Sequence, residues 1–600
     1  MLELKSILKN IEYVRRVFVL IVSLVVIGAL VIDYGFYLDD NEMAAILKVY
    51  AIGWWTYLIS FTFQLVYRWR EIRKKAISLT TILGLLLYMS AIAKLLSNVT
   101  NVGFIDGVVN FLENKFFILV LLGLFSLIEL SKGITSFVNR KTNPALLVVI
   151  CFAIVIAFGA LLLMLPRSTL EHIRIPVIDA LFISTSAVCV TGLSTVEVAN
   201  TFTLEGQIII ALLIQIGGLG IMTITSFFAI FFMDGMGLYS QFKMRDMLTS
   251  SADSLISTLL HVLGFTIVIE LIGAFLLWLS IHSTMGMTLD EEIFFSLFHS
   301  ISAFCNAGFS TLEGNLGSEL VLTGHNSMYM IISGLIVLGG IGFPVLINLK
   351  RLISDYYSKI LYKLGIKRDA YSRVSHLVNV NTKIVLYTTS ILIIGGTILI
   401  AIIEWNGAFS GLPTIDKIVH SIFAAVVPRT AGFNSISTAE FSRLTLILLI
   451  LLMWIGGASQ STAGGIKVNT LAVAFASVKS IIKGRQSTEL FNREITYNSI
   501  RRTLAVIFGS TFIILIFFII ILILEPDLPS MEILFETVSA FSTVGSSLGI
   551  TSALGDDSKF FLILLMFIGR VGFITVLMSF MTKREHNAKY RLPKEDIIIN

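Results

Sequence analysis

The 600-residue chain has little charge: Asp, Glu, Lys and Arg make up 14% of it, against about 25% in an ordinary soluble domain. A soluble core of this size needs more polar surface than that, so composition excludes a cytosolic enzyme and a disordered chain. Cysteine is scarce too. Cys151, Cys189 and Cys305 are too few and too scattered for a secreted disulfide scaffold or a thiolate metal site. No G-x-x-x-x-G-K-[ST] phosphate loop and no H-E-x-x-H pair occurs, so no catalytic constellation is present. The longest inner loop, about Asn348–Lys383, is too short to hold a nucleotide-binding domain. What the chain does have is apolar residues, 56% of the total, in runs long enough to cross a bilayer. The composition predicts an all-α polytopic membrane protein.

Charge sets the expected topology. The first apolar run follows Arg15 and Arg16 and reaches about Phe36. It is long and ends in Asp33-Tyr-Gly-Phe rather than a small-residue cleavage site, so it reads as a retained helix, not a signal peptide. Three more spans are expected near 43–67, 76–96 and 113–134. The loop at Tyr37–Glu42 is acidic, Arg68–Lys75 is basic, Ser97–Gly107 has no basic residue, and Ser131–Asn143 is basic. Basic loops stay cytoplasmic, which puts the N-terminus inside. Downstream, basic segments at Lys243–Arg245, Lys350–Lys383, Lys479–Arg502 and Lys583–Lys594 alternate with acidic or mixed connections at Asp290–Glu292, Glu404–Asp416, Glu525–Asp527 and Asp556–Asp557. Two long apolar spans separate one inside segment from the next, and the C-terminus also falls inside.

Four stretches share a pattern ending in glycine. They are Leu181–Gly192, Leu297–Gly308, Ser421–Gly432 and Leu534–Gly545. The glycines are spaced 116, 124 and 113 residues apart. A Ser-Ala pair lies six and five residues before the glycine in three copies, and the third has Val426-Val427 there. A second mark follows each: Gly217-Gly-Leu-Gly220, Gly339-Gly-Ile-Gly342, Gly456-Gly-Ala-Ser459 and Gly569-Arg-Val-Gly572. Two marks in step indicate fourfold duplication. Each unit reads as span, short re-entrant helix, glycine turn, span. A helix too short to cross must enter and leave, with its irregular end facing water or protein. Four parallel units around one axis make a central pore.

Such a pore suits a monovalent cation. Extended backbone can point carbonyls inward to replace an ion's water, glycine permits that turn, and the C-terminal end of each short helix is partially negative. The expected filter is Val190, Thr191, Gly192 and Leu193; Asn306, Ala307, Gly308 and Phe309; Thr430, Ala431, Gly432 and Phe433; Thr543, Val544, Gly545 and Ser546. None is a carboxylate, which disfavours a divalent filter. The third unit's second span is interrupted by Gly456, Gly457, Ala458, Ser459, Gln460, Ser461, Thr462, Ala463, Gly464 and Gly465. This run is rich in glycine and small polar residues and is not expected to stay helical. Arg570 sits inside an apolar span, where a charge must face the interior or a partner. It either raises the barrier to cations and holds the loop, or pins backbone carbonyls as a structural group, and the two roles are compatible. His299 and Glu536 read as buried polar groups satisfied by neighbours, Cys189 and Cys305 as packing, and Lys467 as an anchor at the inner interface.

These residues resemble the membrane subunit of bacterial Trk/Ktr potassium uptake systems (the TrkH/KtrB type), related to plant HKT transporters. The resemblance covers roughly 144–585. It is carried by Ser186–Ser194 with Gly206–Thr223, Ser302–Ser310, Pro428–Asn434, Gly456–Lys467 and Phe535–Gly545 with Gly569–Gly572. It implies potassium as the transported ion with no organic cofactor, and potassium preference where all four filter positions are glycine. It also implies that the interrupted loop with Arg570 is the gate, and that the chain forms homodimers bound to cytoplasmic nucleotide-binding subunits of the TrkA/KtrA type. Localisation in the cytoplasmic (inner) membrane follows, with the lipid bilayer and no nucleic acid as partner. The expected organisation is four extra helices over 1–140, pore repeats over 141–250, 251–365 and 366–485, and a fourth repeat with the C-terminus over 486–600. The first part lies outside the usual core, and its fourth helix has no arginine at three-residue intervals, so it is not a voltage sensor. Alternative readings are the ion-conducting subunit of a potassium-pumping ATPase and a sodium-conducting relative. A solute carrier is disfavoured because the repeats run parallel rather than inverted.

Overall fold

The computed structural model describes residues 2–72, 79–96, 114–137, 144–171, 173–220, 252–322, 324–363 and 378–580. The expected basic segments Lys243–Arg245 and Lys583–Lys594, the loop Ser97–Gly107, and parts of Arg68–Lys75, Ser131–Asn143, Lys350–Lys383 and Gly206–Thr223 lie outside the described residues. The described residues are mostly helical, as the long apolar runs predict.

The first helices are α1 (Leu2–Gly35), α2 (Asp40–Ile72), α3 (Leu79–Leu96) and α4 (Lys115–Phe137). A side-chain staple ties three of them: Tyr57 Oη on α2 lies 3.0 Å from Ser23 Oγ on α1 and 2.6 Å from Ser126 Oγ on α4. Buried hydroxyls must find partners in an apolar interior, so one tyrosine fixes three helices in register. This unit meets the rest of the chain where the Arg167 N–H donates to the Gly35 carbonyl at 3.1 Å.

Four similar units follow. Their incoming helices are α5 (Pro144–Leu163), α8 (Ala252–Ile281), α12 (Val380–Glu404) and α16 (Tyr497–Leu524). The short helices are α6 (Val177–Val188), α9 (Leu289–Cys305), α13 (Thr414–Val426) and α17 (Ser530–Ser542). The outgoing helices are α7 (Leu204–Gly218), α10 (Asn326–Gly340), α14 (Arg443–Trp454) and α18 (Asp556–Val571), with continuations α11 (Phe343–Lys363), α15 (Val468–Ile482) and α19 (Phe573–Phe580). Pro176, Pro413 and Pro529 open three of the short helices, where a missing N–H costs nothing. Thr288 opens the fourth with a reciprocal capping box to Glu291, satisfying two end donors at once. All four carry a carboxylate in the first turn, Asp179, Glu292, Asp416 or Glu532 among them, which complements the positive helix end.

The outgoing helix of each unit packs on the short helix of the next: α7 on α9, α10 on α13, α14 on α17, and α18 back on α6. The order of contacts therefore closes on itself. At the closing contact Lys559 Nζ on α18 lies 2.8 Å from Asp179 Oδ1 on α6, both side chains being buried. Asn326 on α10 donates to Asp416 Oδ1 on α13 at 2.6 Å in the equivalent place between units two and three.

The second glycine mark has two physical uses. Its first glycine lets the outgoing helix touch the end of the short helix in its own unit. A Cβ at Gly217, Gly339 or Gly569 would sit 2.0, 2.0 or 1.9 Å from the carbonyl oxygen of Val188, Phe304 or Phe541. Its last glycine ends the helix: Gly220, Gly342 and Gly572 have φ of 76°, 87° and 85°, the left-handed region that only glycine enters freely. The helices on either side of Gly342 and Gly572 meet at 102° and 96°. Continuous second spans are the sequence expectation for every unit but the third. The structure breaks them in units two and four as well, because a left-handed residue cannot continue a right-handed helix.

Two outcomes test this packing. Gly339→Ala destabilises the chain by about 3 kcal/mol or more, since its methyl meets a backbone oxygen that cannot yield. Gly334→Ala in the same helix, which points into open space, is neutral or stabilising by up to about 1 kcal/mol. Thermal unfolding in detergent separates them. Lys559→Met strands the buried Asp179 and costs about 3–5 kcal/mol, and adding Asp179→Asn to it recovers much of the loss, read by the same melts.

Candidate functional site

Each short helix ends in a turn with two left-handed residues, two apart. They are Val190 and Gly192 (φ 55° and 93°), Asn306 and Gly308 (61° and 71°), Thr430 and Gly432 (73° and 73°), and Thr543 and Gly545 (50° and 92°). In units one, two and four the helix end is tied in one way. The N–H of Thr191, Ala307 or Val544 reaches back to the carbonyl of Ser186, Ser302 or Ser539 at 2.7–2.9 Å, and the N–H of Val190, Asn306 or Thr543 to that of Ala187, Ala303 or Ala540 at 3.1–3.2 Å. This is the Schellman pattern, which usually places glycine where these chains have Val, Asn and Thr. A β-branched residue held there stores about 1–3 kcal/mol, and the double tie holds it.

The Ser-Ala pair thus supplies both tied carbonyls. Its hydroxyl also acts: Ser186 Oγ and Ser539 Oγ accept the N–H of Gly192 and Gly545 at 3.0 and 3.1 Å, while Ser302 Oγ donates to the Phe309 carbonyl at 2.8 Å. In the third unit, where Val426-Val427 replaces the pair, the Ala431 N–H goes to the Val427 carbonyl at 2.9 Å instead. Gly432 still reaches a left-handed φ by this other route.

The four glycines face one another in sequence. A Cβ at Gly192 would lie 2.4 Å from the Ala307 oxygen, at Gly308 2.5 Å from Ala431 O, at Gly432 2.4 Å from Val544 O, and at Gly545 2.1 Å from Thr191 O. Each glycine abuts the carbonyl before the next unit's glycine, and the fourth abuts the first. The structure therefore brings the sixteen residues Val190–Leu193, Asn306–Phe309, Thr430–Phe433 and Thr543–Ser546 together. Gly192 is half-buried and the other fifteen are buried. The hydroxyls of Thr191 and Thr543 are buried without a partner among the described residues.

The interrupted segment of unit three lies against this ring. Helix α14 stops at Trp454, α15 starts at Val468, and Ile455 and Ile466 bridge in parallel at the base of the loop. The loop leans on unit two, where the N–H of Ala458 donates to the Gly340 carbonyl at 2.8 Å and that of Phe343 to the Gln460 carbonyl at 3.1 Å. It also leans on unit four, where a Cβ at Gly464 would be 2.0 Å from Thr543 Oγ1. Arg570, buried at 7% exposure, donates from Nη1 to the Thr462 carbonyl and from Nη2 to the Gly217 carbonyl. One side chain thus links units one, three and four.

The other singled-out residues are placed as follows. His299 Nδ1 donates to the Phe295 carbonyl at 2.9 Å, which leaves Nε2 to accept from Ser310 Oγ at 2.9 Å, since a carbonyl can only accept. Glu536 Oε1 accepts from Thr551 Oγ1, while Oε2 has no hydrogen-bond partner among the described residues. Cys189 and Cys305 are buried and free, and Cys305 Sγ would be 2.2 Å from a Cβ at Gly218. Lys467, expected at an interface, folds back to the carbonyls of Ala463 and Gly464. Sequence reasoning passed over Arg429 and Glu270. Arg429 is buried and donates from Nη2 to Thr389 Oγ1 and to the Gly456 carbonyl, both at 3.4 Å. Glu270 is a buried carboxyl on α8 that accepts from Gln215 Nε2 at 3.1 Å. A charge within an apolar run was the available signal for both.

Comparison with known proteins gives the setting. The TrkH family model, described as a cation transport protein, matches residues 114–590. A Bacillus subtilis relative, the Ktr system potassium uptake protein B, is 37% identical over 75% of this chain and 96% of its own. The potassium/sodium uptake protein NtpJ of Enterococcus hirae is 35% identical over 77% of this chain and 98% of its own. The crystal structure of the potassium transporter TrkH from Vibrio parahaemolyticus has the same fold at a TM-score of 0.58 and 17% identity, covering 83% of this chain and 96% of that one. A multi-pass membrane chain with this match is a transporter and not an enzyme: it belongs to the TrkH family of cation transport proteins.

Proposed function

We propose that the chain takes up potassium across the cytoplasmic membrane through a pore at the axis of the four units, with the ring of glycine turns as its selectivity filter. The closed succession of glycine against carbonyl carries this reading. Four short helices direct their partially negative ends at the ring, and a cation is favoured there. The ring offers backbone oxygens and hydroxyls and no carboxylate, which suits a weakly hydrated monovalent ion.

The loop Gly456–Gly465 is the gate in this reading. It lies against Thr543, its backbone is not helical, and unpaired backbone at membrane depth belongs beside a water-filled path or inside protein. Arg570 holds it through the Thr462 carbonyl and adds a positive barrier beneath the filter. With no phosphate-binding motif in the chain, control by nucleotide belongs to cytoplasmic subunits of the TrkA/KtrA type, acting on a homodimer with both termini of each chain inside. The name of the Enterococcus hirae relative includes sodium, so a sodium-carrying protein is the second reading. Glycine at all four positions favours potassium. The family match favours an uptake protein over the subunit of a pumping ATPase.

Uptake of potassium against sodium, measured in cells without their own potassium uptake, tests this. The parent takes up potassium preferentially. In Gly192→Ser the added Cβ would sit 2.4 Å from the Ala307 oxygen at a φ of 93°, and the preference falls by about tenfold or more, the effect of about 1.4 kcal/mol. Equal preference in both proteins removes Gly192 from the filter.

A further inference from the structure

The gate loop is held by cations. Three consecutive carbonyls are capped by positive groups: Thr462 by Arg570, and Ala463 and Gly464 by Lys467 Nζ at 2.6 and 3.3 Å. Arg429 caps Gly456 at the loop's other end. Among the described residues neither Lys467 nor Arg570 pairs with a carboxylate, and the charged group that acts on Lys467 is Arg570.

This is an unfavourable place for a lysine. The residue is the N-cap of α15, so its ammonium sits at the positive end of its own helix. It is repelled by Arg570 and half-removed from water. What offsets these terms is the pair of carbonyls. An ammonium held by two backbone oxygens at these distances takes the place of a monovalent cation stripped of part of its water. The place is immediately inside the ring. A Cβ at Gly464 would touch Thr543 Oγ1 at 2.0 Å and the Ser542 carbonyl at 2.6 Å, and that threonine hydroxyl is buried with no partner among the described residues.

We propose that Lys467 is a tethered cation. Its ammonium fills an inner monovalent-cation site formed by the carbonyls of Ala463 and Gly464 and keeps the gate shut. Opening withdraws the ammonium to the cytoplasmic water, where it is better solvated, and hands the two carbonyls to the permeating ion. The balance of repulsions on Lys467 makes that withdrawal accessible. The inference rests on the ring being the filter and the loop its gate, and it names a residue and a site that this reading leaves unassigned.

The full chain in lipid vesicles, without partner subunits, tests it by rubidium uptake. Lys467→Met raises basal uptake about tenfold, as expected for loss of one charge-assisted hydrogen bond from the closed state, with rubidium preferred over sodium as in the parent. Lys467→Arg keeps the charge and the donors and stays near the parent. A merely structural anchor gives the opposite pattern: Lys467→Met lowers uptake or leaves it unchanged. Either of those results overturns the proposal, as does Lys467→Arg behaving like Lys467→Met. Should Lys467→Met not fold, Lys467→Gln, neutral and able to hydrogen-bond, is read by the same criteria. A parent without monovalent-cation uptake overturns the transport reading itself, whereas uptake by the parent with no rise in the neutral variants overturns only the role of Lys467.

Discussion

Backbone carbonyls held against glycines at membrane depth are the constraint on which the rest depends. An unpaired backbone group costs several kcal/mol in an apolar setting, so each turn must have its remaining groups tied. The double N–H ties to Ser186 and Ala187, and their counterparts in units two and four, do this. Those ties fix where each short helix ends. The end of that helix then fixes where the outgoing helix needs a residue without a Cβ, and Gly217, Gly339 and Gly569 meet that need. The two glycine marks are in step along the chain because they touch in space.

The third unit departs from the other three at several linked positions. It has Val426-Val427 for Ser-Ala and Ser459 for the last glycine of the second mark. Gly456, equivalent to Gly217, faces the Gly464 carbonyl of its own loop rather than a short-helix end. Where units two and four break an outgoing helix at one left-handed glycine, this one leaves residues 456–467 without helix. Some of the loop's N–H groups bond outside it, as Ala458 does to the Gly340 carbonyl, and the side chains of Arg570, Lys467 and Arg429 donate to carbonyls within it. The ring in units one, two and four is tied to the ends of the short helices and not to the outgoing ones, so the interruption in unit three leaves those ties intact.

Much of this was legible in the sequence, because repetition separates meaningful glycines from incidental ones. The four turn glycines, the interrupted segment and the isolated Arg570 could all be read that way. The bends at Gly342 and Gly572 could not, since glycines three apart read the same in a closely packed straight helix as at a break. The left-handed Val190 and Thr543 run against local preference and are imposed by tertiary ties that no window of sequence contains. Lys467 reads as an interface anchor because it ends the interrupted loop on the inner side. Its inward turn depends on carbonyls three and four residues back, which only the folded loop exposes.

The placement of charge gives the molecule a direction. Carboxylates gather at the starts of the short helices, as Asp179, Glu292, Asp416 and Glu532. The buried cations Arg429 and Arg570, with Lys467, gather at the loop beyond the helix ends. Between them lie four helix termini and a ring of oxygens. A cation on this axis would be drawn toward the ring by the dipoles and carboxylates and stopped beyond it by like charge. At short range a fixed positive group in a poorly screened interior outweighs a helix end carrying about half a unit of charge. The features that would attract a cation to the ring and those that would repel it beyond the ring are thus different residues. Under the proposed function, movement of the loop would change the second without disturbing the first, so that selectivity and gating would be set by different residues even though Gly464 and Thr543 lie in contact.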